Sequence, residues 1–378
     1  MIVKKVLLVT NIPNPYRIPL FNELKFQLNA LNIEFKVIFG IEGYSRRKFV
    51  IDLSECEFEY EILKSSKINI KKNKKPIFTY SKLVKQIREE RPDVIVTTGY
   101  SISTIKVYLL SLIKKINYII WSGSILKKDR NDSFARIILR KLLIKRASGF
   151  LAYGTKAKEY FELLGAPSNK IYMAINTVDT SFYEFETNKI RIKNERSDTK
   201  KHLTYIGYLV PIKNVKRILE IVCLLKAKRN DFELDIIGDG DDLKNLLDFV
   251  DHNKLHEFVH FHGFKQKKEL PFYLSNCDCF LFQTEFDIWG LVLNEAMAAG
   301  VPCLASKNAG ATFDLIKHGL NGFVVDFEKQ KEVVEIICHL FDDPDAAKKI
   351  GFAAREFIQE NATLRKSVQG FLDCILSL

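Results

Sequence analysis

Short runs of β-branched and aliphatic residues alternate with longer stretches of helical periodicity along the whole chain. In the first half, KKVLLVTN, FKVIFG, DVIVTTG, YIIWSG and GFLAYG read as strands, each ending in glycine or a polar residue. Between them FNELKFQLNAL, YSKLVKQIREE, STIKVYLLSLI, FARIILRKLLIKR and TKAKEYFELLG read as helices. The hydrophilic stretch EFETNKIRIKNERSDTK follows with few apolar anchors and predicts an interdomain linker. The alternation then restarts. HLTYIGYL, ELDIIGDG, FVHFHGF, DCFLFQT, PCLAS and GFVVDF read as strands. Helices are expected at about 214–228, 241–250, 267–275, 290–299, 310–318, 330–341 and 344–374. This pattern predicts an α/β protein of two doubly wound domains facing each other across a cleft, with ligand loops at the carboxyl ends of the strands. The expected divisions are residues 1–183, a linker at 184–201, a second domain at 202–355, and a C-terminal helix at 356–378 that packs back on the first domain.

A length of 378 residues agrees with two cores rather than one. No apolar run reaches the roughly 18 residues of a membrane span. YLLSLIKKINYIIW comes nearest and is broken by Lys114, Lys115 and Asn117. The apolar run of MIVKKVLLVTN is too short for a signal peptide. The 7 cysteines include a CDC at 277–279, which has neither the spacing nor the second cluster of a zinc site. Buried, reduced thiols in a cytosolic protein are the expectation.

Charge changes the picture more. The net charge is +12, but residues 1–200 carry 37 Lys and Arg against 20 Asp and Glu, whereas the rest carries 21 against 26. Residues 101–150 are the extreme, with 11 basic and 2 acidic side chains. Nucleic acid and anionic lipid both attract such a surface, and a plain solvated face is the alternative. RIILRKLLIKR has the pattern of an amphipathic basic helix, which favours a membrane surface over a DNA groove. No nucleic-acid-binding motif accompanies it.

Several segments carry candidate chemistry. GDGDDL at 238–243 follows a strand but has Leu243 where a dinucleotide fingerprint has its third glycine. Its Asp239 and Asp241 form a D-x-D, which reads as a metal holder or as acids at a helix start. All 7 histidines lie between His202 and His339, which excludes a histidine base from the first domain. His260 and His262 share one face of a strand and His256 does not, a poor metal set. Neither a G-x-S-x-G elbow nor a G-x-x-x-x-G-K-[ST] loop is present. FDIWGLVLNEAMAAG at 286–300 is more informative. Gly300 and Pro302 stop a helix that starts near Gly290 and has almost no polar face, so Glu295 should be buried. A buried carboxylate needs partners. Ribose hydroxyls would serve, and so would an internal salt bridge. Asp287 reads as a ligand-binding acid or as the N-cap of the same helix. The N–H groups at that helix start suit a diphosphate. At about 1.5 Å per residue, the spacing from Asp287 to Glu295 spans about 12 Å of helix, the length of a nucleotide sugar.

FDIWGLVLNEAMAAGVPCLAS resembles the E-x7-E signature of retaining glycosyltransferases of the GT-B fold, in glycosyltransferase family 4 (glycosyl transferases group 1). YIGYLVPIKNVKRILEI, LDIIGDGDDLKNL, VHFHGFKQKKELPFYLSNCDCFLFQT and GATFDLIKHGLNGFVVDF resemble other segments of that family in the same order. TNIPNPYRIPLFNEL resembles its first loop, and INTVDTSFY its interdomain crossing. The resemblance covers essentially the whole chain and implies GT-B, two doubly wound Rossmann-like domains. It implies that Glu295 holds the donor ribose, that Asp287 contacts the donor sugar, and that Lys213 neutralises the departing diphosphate. Gly207, Tyr208 and Gly238 would line the nucleotide-sugar site. Gly290, Leu291 and Val292 would lie by sugar and phosphates, and Gly263 and Phe264 beside the base. Asn14, Tyr16, Arg17 and Ser122 would face the acceptor, although residues 14–17 also read as a plain loop entering a helix. Three departures stand out. Tyr208 replaces the family's arginine, Asp287 shortens its first glutamate, and no histidine lies near Trp121–Ser124.

The implied function is transfer of a sugar, with retention, from a UDP- or GDP-sugar to a glycolipid or oligosaccharide acceptor, in bacterial cell-surface polysaccharide synthesis such as lipopolysaccharide or capsule. No metal or other cofactor is expected, and nucleic acid is not an expected partner. The expected location is cytoplasmic, peripheral at the inner face of an anionic membrane. The departures motivate a competing reading, a noncatalytic nucleotide-sugar-binding subunit of a polysaccharide assembly complex. An epimerase of the same shape is a third possibility, disfavoured by the absent histidine.

Overall fold

The structure, a computed structural model, describes residues 3–43, 48–65, 67–68, 77–114, 116–126, 134–193 and 200–378. In chain order the strands are β1 (Lys5–Thr10), β2 (Glu34–Phe39), β3 (Glu59–Ile62), β4 (Lys67–Ile68), β5 (Ile77–Phe78), β6 (Val94–Thr98), β7 (Asn117–Ser122), β8 (Gly149–Ala152), β9 (Ile171–Met173), β10 (Lys201–Ile206), β11 (Phe232–Ile237), β12 (Val259–Gly263), β13 (Cys279–Phe282), β14 (Cys303–Ser306) and β15 (Phe323–Val325). The helices are α1 (Ile18–Ala30), α2 (Leu83–Glu90), α3 (Ile102–Ile113), α4 (Phe134–Arg146), α5 (Thr155–Leu163), α6 (Thr180–Lys193), α7 (Lys216–Lys226), α8 (Leu243–His252), α9 (Leu270–Asn276), α10 (Leu291–Ala298), α11 (Gly310–Leu315), α12 (Gln330–Asp342), α13 (Pro344–Asn361) and α14 (Leu364–Leu376). They form two compact units, residues 1–178 with 364–378, and residues 179–363.

The first unit holds a parallel sheet in the order β3-β2-β1-β6-β7-β8-β9. Its strands are apolar at successive positions because both faces are covered. Leu7, Val9, Ile95 and Ile120 enter one core with Leu83, Val107, Leu143 and Phe161 from α2, α3, α4 and α5. Val6, Leu8, Val96 and Trp121 enter the other with Phe21 and Leu24 of α1 and Phe371 and Ile375 of α14. The twofold alternation of side chains along each strand therefore separates the two cores. Strand order reverses direction between β1 and β6, so the loops after these strands diverge there and leave a crevice.

The second unit repeats the plan with the parallel order β12-β11-β10-β13-β14-β15. Leu203, Leu234, Ile236 and Leu281 pack with Ile218 and Val222 of α7, Leu246 of α8 and Ile337 of α12. Its reversal falls between β10 and β13.

Three expectations about the divisions need correction. Residues 184–193 of the expected linker belong to α6, and 194–199 lie outside the described residues. Tyr183 and Thr187 are buried on one face of α6. At its far end, Arg191 donates to the carbonyls of Leu274, Ser275 and Ala299, which close α9 and α10. A stretch rich in charged and polar residues thus forms a packed helix of the second unit, and the division falls after Val178 rather than at 183. The single helix expected over 344–374 is two helices. α13 starts at Asp343, whose side chain accepts from Ala346 N at 2.9 Å, and α14 belongs to the first unit.

Candidate functional site

In the second unit the candidate residues gather at the carboxyl edge of the sheet. Gly207, Gly238 and Gly263 stand in a row at the ends of β10, β11 and β12. Gly207 N donates to Ile237 O at 3.0 Å and Gly238 N to Gly263 O at 2.9 Å. A Cβ on Gly238 would lie 1.8 Å from Gly207 O, so only glycine permits this approach. The result is a shelf of bare backbone. Tyr208 and Phe264, each partly exposed, follow the first and last of these glycines. The Tyr205 hydroxyl donates to Tyr208 O at 3.3 Å and fixes the loop from below.

Across the reversal point, the short turn Pro211–Lys213 after β10 meets the loop after β13. Glu285 N donates to Ile212 O at 2.9 Å, and Asn214 Nδ2 to Glu285 Oε1 at 2.7 Å. Lys213 Nζ then reaches Asp287 Oδ2 at 2.5 Å. The other carboxylate oxygen accepts from Trp289 N at 3.2 Å. Asp287 is further locked from behind, since Gly310 N donates to Asp287 O at 3.0 Å. The N-cap reading of Asp287 is therefore set aside. Gly290 occupies the cap position of α10 with φ +108°, and a Cβ there would lie 2.0 Å from the Phe282 ring. Residues 287–290 are also not helical, so the expected helical span of eight positions shortens to the stretch after Gly290. Leu291 and Val292 open the helix partly exposed, and their N–H groups have no intrahelical acceptor.

Glu295 lies in the buried run Leu293–Ala298. The Tyr183 hydroxyl of α6 hydrogen bonds its carboxylate, and Oε2 is buried with no partner. Burial pushes this carboxyl up to about 7, against the Tyr183 hydrogen bond and the Lys267 charge, which pull it down. Lys267 is not within ion-pair distance, and no salt bridge forms at Glu295 among the described residues. The internal salt-bridge alternative is thereby overturned. Tyr183 escaped the sequence reading because it stands immediately before the stretch taken for a linker. Trp289 Nε1 donates to Asn294 Oδ1 at 3.0 Å, which satisfies the one other polar side chain of α10.

The remaining candidates separate from this cluster. Asp239 Oδ1 accepts from Gly240 N at 2.7 Å and Asp242 Oδ1 from Asn245 Nδ2 at 2.8 Å within their own turn, while Asp241, the second acid of the D-x-D, is exposed. His202 and His262 flank Asp235 at 3.2 and 2.6 Å; against its burial, their hydrogen bonds hold the Asp235 carboxyl below its ordinary range. Among the described residues no group of three or more His, Cys, Asp or Glu is placed to hold a metal ion. Cys277 and Cys279 are buried, unbridged thiols, and burial pushes Cys277 up to about 12.

Asn14, Tyr16, Arg17 and Ser122 belong to the first unit, at the carboxyl ends of β1 and β7. Arg17 N donates to Asn14 O at 2.8 Å, and Ser122 Oγ accepts from Ser124 N at 3.1 Å. The Arg17 guanidinium stacks 4.1 Å from the Trp121 ring centre.

Residues 186–357, within the second unit, match the family described as Glycosyl transferases group 1. The chain as a whole has the two-domain α/β fold of GT-B glycosyltransferase structures. HepE of Anabaena, solved in complex with UDP, superposes with a TM-score of 0.78 over 99% of this chain and 100% of that one, at 17% identity. The lipopolysaccharide outer core galactosyltransferase WaaB superposes with a TM-score of 0.72 over 99% of each chain, at 18% identity. Among curated relatives, the uncharacterized glycosyltransferase YqgM of Bacillus subtilis is 26% identical over 221 residues, 58% of this chain and 59% of its own length. The N-acetyl-alpha-D-glucosaminyl L-malate synthase of Bacillus anthracis is 27% identical over 207 residues, 54% of this chain and 53% of its own length. The chain thus spans little more than half the length of the curated relatives it matches.

Proposed function

We propose that this chain is a retaining glycosyltransferase that moves a sugar from a nucleoside diphosphate sugar to a lipid-linked or polysaccharide acceptor in cell-surface polysaccharide synthesis. The observation that carries this reading is Glu295, a buried carboxylate with one oxygen unpartnered, on the helix that follows the Lys213–Asp287 pair. A ribose diol supplies two donors to such an acceptor, and the glycine shelf leaves room for a flat base beside it. The N–H groups of Leu291 and Val292 and the Lys213 ammonium suit the diphosphate. In the absence of donor Lys213 is neutralised by Asp287. An arriving diphosphate competes for the ammonium and frees Asp287 to accept from sugar hydroxyls. Catalysis would then rest on orientation and on stabilising the departing diphosphate, with no metal needed. The basic, partly apolar surface of α4 supports work at an anionic membrane on the cytoplasmic side. HepE was solved with UDP, which supports a UDP-linked donor here.

The test is a thermal-shift screen of the intact chain with UDP, GDP and their sugars, followed by transfer assays and anomeric analysis of the product. No stabilisation by any nucleotide, or none lost in Glu295→Ala, would refute the site. Product of inverted configuration would refute the retaining mechanism alone. Tyr208 favours a second reading, because it leaves the diphosphate one cation at this position instead of two. A chain that binds a donor and turns over none would be a noncatalytic subunit.

A further inference from the structure

Around the reversal point of the first unit's sheet, the described loop residues carry little charge. The described residues after β1, β6, β7 and β8 (11–17, 99–101, 123–126 and 153–154) contain no carboxylate and a single basic side chain, Arg17, and the loop after β9 (174–179) has one carboxylate, Asp179; Asp129 and Asp132 of the loop after β7 lie outside the described residues. Arg17 is only 7% exposed. Its guanidinium lies against the rings of Trp121, Tyr153 and Tyr16, at 4.1, 5.1 and 5.4 Å from their centres. Among the described residues no hydrogen bond or ion pair reaches it, and Nη1 is buried without a partner.

A guanidinium cannot escape burial by shedding its proton. Aromatic faces offset part of the desolvation cost, but they leave the N–H edge unsatisfied. That edge is a planar fork, matched in shape by a phosphoryl or carboxylate group. Arg17 also precedes α1, whose first turn holds no acidic side chain, so the positive dipole end of the helix lies at the same place, although Pro19 in that turn has no N–H to offer. The position is the reversal point between β1 and β6, where doubly wound sheets take ligands. We infer that Arg17 binds an oxyanion, a phosphoryl or carboxylate group carried by the acceptor. The word acceptor rests on the function proposed above; the oxyanion site does not.

The chain has 2 tryptophans, Trp121 against Arg17 and Trp289 in the second unit. The intact protein labelled with 5-fluorotryptophan should therefore give two fluorine resonances, assigned with Trp289→Phe. It is titrated with inorganic phosphate, dodecyl phosphate and glucuronate. The Trp121 line should shift saturably with one or more of these. Tighter binding of dodecyl phosphate points to a lipid phosphate, and of glucuronate to an acidic sugar. Arg17→Met should weaken that binding at least tenfold, Arg17→Lys should keep part of it, and Lys213→Met should leave it unchanged. A Trp121 line that no probe moves in the wild type overturns the inference, as does an Arg17→Met titration equal to wild type. Should the Arg17 variants misfold, seen as a displaced Trp289 line, the wild-type titration still decides. UDP stabilisation measured on the same samples reports the donor site separately. Its loss with an intact Trp121 response refutes the donor reading and leaves the oxyanion site standing.

Discussion

Lys213 Nζ sits 2.5 Å from Asp287 Oδ2 and joins the turn after β10 to the loop after β13. Both side chains are largely shielded, at 17% and 22% exposure, so the pair is stronger than one in open solvent. It holds the ammonium at the reversal point of the sheet and neutralises it there. The two residues were singled out separately in the sequence, and the fold makes them one unit.

This pairing makes opposite predictions for its two members. Asp287→Asn leaves Lys213 uncompensated, so affinity for the free nucleoside diphosphate should rise by up to about fivefold, the range of a partly exposed ion pair. Transfer should nevertheless slow, because the sugar loses its carboxylate. Lys213→Met should weaken nucleoside diphosphate binding by roughly tenfold to a hundredfold, as expected for one charged hydrogen bond. Calorimetry with UDP or GDP and steady-state rates separate these effects. Equal weakening by both variants would dismiss the exchange of partners.

Glu295 predicts two pH dependences of opposite sign. Burial pushes its carboxyl up from the ordinary value of 4.5 to about 7, so between these values the native state holds a proton that the unfolded chain has released. The contribution of this group to stability is full below about 4.5 and is lost as pH rises through 7, by about 3 kcal/mol at most. Chemical denaturation at pH 5 and pH 8 should show that loss in wild type and not in Glu295→Gln. Donor binding should run the other way, strengthening as Glu295 ionises and begins to accept from ribose. Tyr183→Phe removes the hydrogen bond that favours the ionised form, and should move the midpoint of donor binding to higher pH.

Gly290 sets the direction from which α10 leaves the site. Its φ of +108° and the 2.0 Å approach of a Cβ to the Phe282 ring make Gly290→Ala both strained and overpacked. The expected loss is about 2–4 kcal/mol, combining a positive-φ cost with displacement of a buried ring. Urea unfolding measures it. UDP stabilisation should fall with it, because the displaced backbone carries the N–H groups proposed to meet the diphosphate.

The sequence was readable where the physics is local and periodic. Strands such as LLV in β1 and FLF in β13 are apolar on successive positions because helices cover both faces, and that pattern announces the doubly wound sheets. Glu295 was readable for a related reason: a carboxylate on a helix without a polar face has to be buried. Its partner was not. Tyr183 comes from α6, far away in the chain, and the rest of α6, from Glu184 on, holds so many charged residues and so few buried ones that it passed for a linker. Arg191 compounded this, since a charged side chain gave no sign that it would cap two helices. The Asp287 cap reading failed because Gly290, three residues on, adopts a backbone conformation that starts the helix later. Residues 127–130, part of the basic stretch expected at a membrane, lie outside the described residues.

The described part of that stretch still makes a definite prediction. On α4, Phe134, Ile138 and Leu142 are exposed and spaced four residues apart, so they form one stripe. Lys141 and Lys145 are exposed beside it, and Leu109, Leu112 and Ile113 are exposed on the neighbouring α3. No helix among the described residues is long and apolar enough to cross a membrane, so this surface would lie on a bilayer rather than enter it. Each large apolar side chain that inserts adds about 1.5–3 kcal/mol, and each lysine near an anionic surface about 1 kcal/mol. The intact chain should therefore sediment with phosphatidylglycerol vesicles at low salt and far less with phosphatidylcholine. Replacing Phe134, Ile138 and Leu142 together by serine should reduce binding on both at any salt, whereas Lys141→Glu with Lys145→Glu should abolish only the preference for the anionic lipid. Because these side chains are exposed, neither set should change the unfolding midpoint by much. Vesicle binding that survives both sets would assign any membrane attachment to another part of the chain.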